Sequence, residues 1–244
     1  LGIYFSLSLL FFSACFILSK QSNDHFIFWV MIVFGLLFRF SILPAQQIQE
    51  DDVYRYLWDG KVLANNINPF AYSPSEVHEF KELQIQNPET YYEVYNEKNE
   101  RELEQLAELK WESPTSLKYL ERVNHPSVPT IYPPMAQYVF RAVHFFQPDS
   151  ILAMRVAFLV FDVLALFFIV GILDKLGLNK NMSGVYFWCP LIIKETFNST
   201  HLDIIGISFL CGSIYFLVHS RHTLATFFLA LGFLGKLYPA ILFP

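Results

Sequence analysis

Cysteine is scarce, with only Cys15, Cys189 and Cys211 in 244 residues, each inside an apolar stretch and none with paired spacing. That pattern argues against a disulfide framework and against a thiolate metal site, and leaves the three as packing residues. No internal repeat is visible. The apolar run at residues 1–19 lacks a basic n-region and a small-residue cleavage site, which argues against a signal peptide. An initiating Met is also missing: the chain opens on Leu1 and stops at Phe243-Pro244 directly after a dense motif, so it reads as a fragment of a longer protein. Charge is thin, at 16% of residues, and lopsided. Residues 45–130 hold 16 acidic against 8 basic side chains, so the net charge of -5 belongs to that segment.

What fills the remainder is apolar. Hydrophobic residues make up 54% of the chain, 26 of them Phe, and must be concentrated outside the polar segment. A helix crossing a bilayer needs about 20 mostly apolar residues, because roughly 30 Å of hydrocarbon is covered at about 1.5 Å per residue. Stretches 2–19, 26–44, 151–173, 183–199, 202–219 and 223–243 answer to that description. Their internal charges are Arg39, Arg155, Asp162, Lys194, Glu195, Asp203 and Lys236. Each would cost about 2.5–3.5 kcal/mol facing lipid at mid-bilayer, so each is expected at a span end or against protein. Three regions follow: two transmembrane helices in 1–44, an extracytoplasmic loop with juxtamembrane helices in 45–150, and further transmembrane helices in 151–244. The expected fold is all-α, a polytopic helix bundle with a large loop containing short helices.

Within the loop, Pro44, Pro69, Pro74, Pro88, Pro114, Pro126 and Pro129 punctuate a folded, irregular path. From Asn96 to Trp111, Leu103, Leu106 and Leu109 recur at helical spacing among charges, as in an amphipathic surface helix. Pro133 to Phe146 is apolar yet only 14 residues long and contains Arg141 and His144, which favours an interfacial or re-entrant helix over a crossing. On that choice the loops 20–25, 174–182 and 219–222 share one face with Lys20, Lys175, Lys180 and Arg221 against Asp24 and Asp174. The positive-inside rule makes that face cytoplasmic and puts the acidic loop, the 194–203 turn and the chain end together outside.

Four constellations carry chemistry. The densest is Glu50-Asp51-Asp52-Val53-Tyr54-Arg55-Tyr56-Leu57-Trp58-Asp59-Gly60, followed by Ile67-Asn68-Pro69-Phe70. Three consecutive carboxylates can deprotonate a sugar hydroxyl or hold a cation, and crowding keeps at least one pKa raised. A hydrated acidic cap is the plain alternative, against which Tyr54, Tyr56 and Trp58 stand as platforms for sugars or interfacial anchors. Asn124 to Gln137 packs Pro126, Pro129, Pro133 and Pro134 into nine residues, a rigid path ending in a short helix, or simply a stiff linker. Lys194 to Asp203 is dense in ionisable groups at a membrane boundary, a functional signal by default, and its Asn198-Ser199-Thr200 also reads as a glycosylation acceptor. Lastly, Lys236 in Gly235-Lys236-Leu237-Tyr238-Pro239 can neutralise a phosphate at headgroup depth or snorkel to the interface.

In this order the four pieces resemble the GT-C superfamily of membrane glycosyltransferases that use polyprenyl-phosphate sugars. The likeness is greatest to bacterial polyprenol-phosphate-mannose-dependent mannosyltransferases, with a fainter one to the first mannosyltransferase of the GPI-anchor pathway. Asp51-Asp52-Val53-Tyr54 occupies the place of the acidic motif that opens the first large external loop in that superfamily. Asp59-Gly60 and Asn68-Pro69-Phe70 resemble its continuation, and Tyr132-Pro133-Pro134-Met135 looks like the Tyr-Pro-Pro segment of related enzymes. The long charged stretch between Pro74 and Asn124 departs from the pattern, as does a possible extra span before the loop.

The resemblance implies transfer of a hexosyl group, mannosyl by closest likeness, from a lipid-phosphate donor to a hydroxyl of a glycan or lipid acceptor, with inversion. Asp52 is the expected general base with Asp51 next, and the other of the pair orients the acceptor or binds a divalent cation. Donor and acceptor contacts are expected from Arg55, Tyr56, Asp59, His125, Tyr132, His201, Asp203, Lys236 and Tyr238, with Arg55, His201 and Lys236 meeting the leaving phosphate. Membrane lipids are expected partners and nucleic acid is not. The setting is a multi-pass protein of the bacterial inner membrane whose active site faces away from the cytoplasm. The rival is a multi-spanning transporter or lipid flippase with the loop as lid, for which internal repeats and helices broken at mid-membrane are the usual signs.

Overall fold

The computed structural model describes residues 2–21, 23–48, 51–90 and 100–242, and among them the regular structure is all helical. In chain order the helices are α1 (Gly2–Lys20), α2 (His25–Ile42), α3 (Asp52–Ala64), α4 (Pro74–Gln86), α5 (Glu100–Trp111), α6 (Pro114–Leu120), α7 (Pro134–Phe146) and α8 (Ile151–Lys175). A 3₁₀ turn (Lys180–Ser183), α9 (Gly184–Phe187), α10 (Pro190–Ile193), a π turn (Lys194–Asn198), α11 (Asp203–Val218), α12 (His222–Gly235) and a 3₁₀ turn (Tyr238–Leu242) complete the order. Glu50 and residues 96–99, singled out above, lie outside the described residues, as do the last two of the chain.

Two compact units emerge. One joins the described residues up to 48 with those from 155 onward, and the other runs from 51 to 154. In the first, α2 and α8 are the two helices among the described residues long and apolar enough to cross a membrane, with 18 and 25 residues and mean hydropathies of 2.0 and 2.9. Phe5–Lys20, Asp203–Val218 and His222–Gly235 are apolar but shorter. Asp24 caps α2, its carboxylate accepting from the Phe26 N–H at 2.7 Å.

Two of the expected spans are not single helices. The stretch 183–199 breaks at Cys189, which is extended (ψ 114), and restarts with Pro190 at the first helical position. Proline has no N–H for the preceding turn, so an α-helix cannot run through it undisturbed. The π turn follows at once. The stretch 223–243 ends its helix at Gly235, where Lys236 turns extended (φ -157, ψ 145) ahead of the turn at Tyr238.

Of the charges in the apolar stretches of this unit, Arg39, Asp162 and Arg155 are buried against protein. Arg39 and Asp162 are wholly buried and paired through two contacts, Nε to Oδ2 at 2.5 Å and Nη2 to Oδ1 at 3.2 Å. Further donors and acceptors saturate them: Arg39 Nη1 donates to the Phe187 and Gly35 carbonyls, and the Tyr186 hydroxyl donates to Asp162 at 2.8 Å. A buried pair needs such extra bonds to offset its desolvation. Arg155 makes a second hub, with Nη1 on the Leu43 and Ala45 carbonyls, Nη2 on the Asn198 carbonyl and Nε on the Thr200 hydroxyl. That hub buries the turn at 198–200. Asn198 (1% exposed), Ser199 and Thr200 (0%) point inward, and the Asn198 amide bonds the Ile48 N–H and the Gln46 carbonyl. In the folded chain the expected glycosylation acceptor is therefore a buried packing turn.

In the second unit α3 packs on α7 and α6, while α4 packs on α5. The crossing of α3 with α7 is close because of Gly60: a Cβ there would stand 2.5 Å from the Phe140 carbonyl oxygen. Ser113 caps α6, accepting from the Ser116 N–H at 3.0 Å, with Pro114 in the first turn. Leu103, Leu106, Ala107 and Lys110 form the buried face of α5, leaving Leu109 half-buried. Helix α7 buries Ala136, Gln137, Val139, Phe140 and Val143 on one face, and its 13 residues reach about 20 Å.

Candidate functional site

Every residue of α3 from Val53 to Val62 is buried, although the run includes Arg55, Asp59 and Lys61. Such a helix is held by polar bonds as much as by apolar packing. Lys61 pairs with Asp149 at 3.0 Å and Glu112 at 2.9 Å and also bonds the Ser116 hydroxyl. Two residues before it, Asp59 (2% exposed) accepts from the Gln137 Nε2 at 3.0 Å, and the Thr130 hydroxyl also bonds it. Burial pushes the Asp59 carboxyl up to about 6, because removing water penalises the charged form more than Gln137, Thr130 and the nearby Arg55 charge favour it.

Arg55 lies a turn further back. Its Nη2 reaches the carbonyls of Asn124 (3.4 Å), His125 (3.0 Å) and Val128 (2.9 Å), which fixes the proline-rich path from 124 to 128. Burial pulls the guanidinium below its ordinary pKa, opposed by Asp59, Tyr132 and Asp52. At 6% exposure it is a strut for the loop, in place of the free phosphate partner expected from sequence. His125 takes part through its backbone: its φ is 51° and its ring is exposed.

At the start of α3 stand the two aspartates. Asp51 occupies the cap position without a side-chain cap bond, and its carboxylate pairs instead with Arg122 at 2.8 Å. Arg122 in turn lies over the Tyr54 ring, 4.3 Å from its centre. Asp52 turns toward Tyr132, whose hydroxyl it hydrogen-bonds, while the Tyr56 hydroxyl bonds the same phenol oxygen. Burial, with Asp52 beside it, raises the Tyr132 pKa well above the ordinary phenol value, so Tyr132 remains a donor. The rings lock the geometry: Tyr56 meets Tyr132 edge-on at 4.9 Å and stacks on Phe140 at 4.6 Å. Asp52, Tyr56 and Tyr132 are thereby gathered, with Arg55 and Asp59 on the following turns.

No protein-family model, curated protein or solved structure matches this chain.

The remaining expected residues belong to the other unit and form two local groups. His201 Nδ1 lies 3.0 Å from Glu195, whose other oxygen pairs with Lys194 at 2.8 Å. Lys236 pairs with Asp203 at 3.2 Å, and both Lys236 and the Tyr238 hydroxyl close on Gly206, where an added Cβ would stand 3.0 Å from each. The two cations expected to meet phosphate thus each face a carboxylate already. Of the two carboxylates considered for a divalent cation, Asp51 gives one oxygen to Arg122, and among the described residues no group of three or more His, Cys, Asp or Glu side chains is placed to hold a metal ion.

Sequence reasoning missed the partners of Asp59. Thr130 and Gln137 were visible as polar residues closing an apolar, proline-rich run, but nothing in their spacing says that both aim at one carboxyl. Tyr132, by contrast, was singled out, and it holds the hydrogen bond to Asp52.

Proposed function

We propose that the chain is a polytopic membrane glycosyltransferase that moves a hexosyl group, mannosyl by resemblance, from a polyprenyl-phosphate donor to a hydroxyl acceptor outside the cytoplasm. The observation that carries this reading is the half-buried Asp52 carboxylate, oriented by the Tyr132 phenol at the start of a buried helix. As general base it takes the acceptor hydroxyl proton while the acceptor oxygen bonds the anomeric carbon and the carbon–oxygen bond to the phosphate breaks, inverting that centre. The electron pair leaves with the phosphate. A membrane setting is supported by apolar surface on the helices of the first unit: Phe5, Leu9, Phe12 and Phe16 of α1 are 60–73% exposed, as are Trp29 of α2 (61%) and Val160 of α8 (63%). A soluble monomer rarely leaves apolar surface of that extent uncovered.

Transfer from radiolabelled polyprenyl-phosphate mannose tests the reading. Asp52→Asn in correctly inserted protein is expected to lower the rate about 100- to 10,000-fold. Asp51→Asn is expected to cost less, since its carboxylate is held by Arg122. Undiminished transfer by Asp52→Asn removes the assignment.

The transporter reading keeps one observation in its favour, the broken stretch from Gly184 through the π turn at 194–198. Movement of the donor across vesicles without product separates the two.

A further inference from the structure

Helix α7 is apolar on both of its sides. The inner side, with Ala136, Gln137, Val139, Phe140 and Val143, is buried, and the helix packs on α3. At about 100° per residue, Pro134, Tyr138, Arg141, Ala142, Phe145 and Phe146 fall together on the other side. There Tyr138 (60% exposed), Phe145 (64%) and Phe146 (92%) stand uncovered. A helix whose outer side meets water carries charge on it. Helix α5 of the same unit does so, with Arg101, Glu104 and Glu108 exposed. The outer side of α7 has a single charge, Arg141. Its aromatic surface also extends past the helix, since Phe70, in the turn after α3, borders the same open depression as Pro134, Tyr138 and Arg141.

Two observations say what covers this side. The first is charge. Residues 131–148 contain no carboxylate. Arg141 reaches the Asn66 side-chain oxygen at 3.3 Å and lies 5.4 Å from the centre of the Phe145 ring, and among the described residues no carboxylate pairs with it. Aromatic rings flanking a lone arginine suit the boundary between lipid phosphates and acyl chains, where amphipathic rings and basic side chains settle. The second is chain continuity. Only residues 147–150 separate Phe146 from α8, and the first turn of that long apolar helix belongs to this same unit. Five steps of at most about 3.6 Å hold Phe146 within about 18 Å of the point where α8 begins.

We propose that the outer side of α7 is a lipid-docking surface, with Tyr138, Phe145 and Phe146 at the headgroup–acyl boundary of the bilayer and Arg141 on a lipid phosphate. The second unit thereby has a membrane contact of its own, while the charged outer side of α5 stays in water. The proposal rests on the membrane setting put forward above and is independent of the transfer reaction.

Spin labels on the full chain in phosphatidylcholine nanodiscs test it. In a background with Cys15, Cys189 and Cys211 replaced by Ala, the label is attached in turn to Tyr138→Cys, Phe146→Cys, Glu104→Cys and Val160→Cys. Collision with oxygen, which concentrates in lipid, is compared with collision with a nickel chelate, which stays in water. Val160→Cys, on α8, marks lipid and Glu104→Cys marks water. Tyr138→Cys and Phe146→Cys are expected to show an oxygen-to-nickel ratio several-fold above that of Glu104→Cys. Arg141→Glu, which sets a carboxylate against lipid phosphates, should bring the ratio at Phe146→Cys down toward the Glu104→Cys value, and Arg141→Lys should keep it high. Both reporter positions are exposed, so they serve where Arg141→Glu does not fold. Ratios at Tyr138→Cys and Phe146→Cys equal to that of Glu104→Cys, with Val160→Cys in lipid, overturn the proposal and leave the membrane setting standing. Free nickel access at all four positions removes both. Shielding from both reagents, with spin–spin broadening between labelled chains, gives this side to a second copy and overturns the proposal, and an unchanged ratio in folded Arg141→Glu overturns the phosphate contact.

Discussion

Asp59 shows how one buried carboxyl sets a pH dependence. Its folded pKa of about 6 lies above the ordinary value, so the folded chain binds its proton more tightly than the unfolded chain does. Stability contributed by that proton is therefore present at low pH and is lost as pH rises from about 4 through about 6, to an extent of roughly 3 kcal/mol. The melting temperature of the solubilised chain should fall between pH 5 and pH 7.5 by more than that of Asp59→Asn, in which the titration is gone. Equal pH profiles for the two would remove Asp59 as the source. From sequence, a raised carboxyl was expected among the three crowded acids at 50–52; at Asp59 it is burial that raises the carboxyl, against hydrogen bonds from Thr130 and Gln137, 71 and 78 residues along the chain. Crowding can be read from neighbours in the chain, but burial cannot. Arg55 teaches the same lesson with opposite sign: a cation beside an acidic motif looks available until the carbonyls of Asn124, His125 and Val128 are seen to claim it.

Among the elements, long apolar runs were the most legible. Helices over 25–42, 151–175 and 203–218 fall close to the expected stretches because hydropathy and length report directly on them. Proline marked the failure at 183–199: apolar composition carried the reading through Pro190, while the missing N–H broke the helix there. Helix α7 was read as too short to cross and is 13 residues long; its tight seat against α3 was invisible, since it depends on Gly60 facing the Phe140 backbone. That contact yields a test. In Gly60→Ala the new methyl would stand 2.5 Å from a carbonyl oxygen that belongs to a helix and cannot swing aside. Overpacking of this kind typically costs about 1–3 kcal/mol. Thermal unfolding should show the loss, and an unaltered melting curve would mean that the two helices part more readily than their packing implies.

For the whole molecule, the proposed orientation sets the acidic segment outside and the turn after α8 inside. In a background with Cys15, Cys189 and Cys211 replaced by Ala, Glu104→Cys should react with a membrane-impermeant maleimide on intact cells, and Lys175→Cys only after permeabilisation. The reversed pattern would turn the orientation over. Charge asymmetry in the loops is the ground for proposing this orientation, whereas the division into units at 50 and 155 rests on packing that no local pattern reports. The pairing of Arg39 with Asp162 bears on how such a chain is made. The two residues are 123 positions apart, so at ribosomal speeds of about 5–20 residues per second the arginine waits roughly 6–25 s for its counter-ion. Until then α2 lacks the partner that its buried arginine pairs with in the folded chain. On the proposed membrane reading α2 gains its counter-ion only when α8 emerges, which makes it dependent during biogenesis on a residue translated 123 positions later.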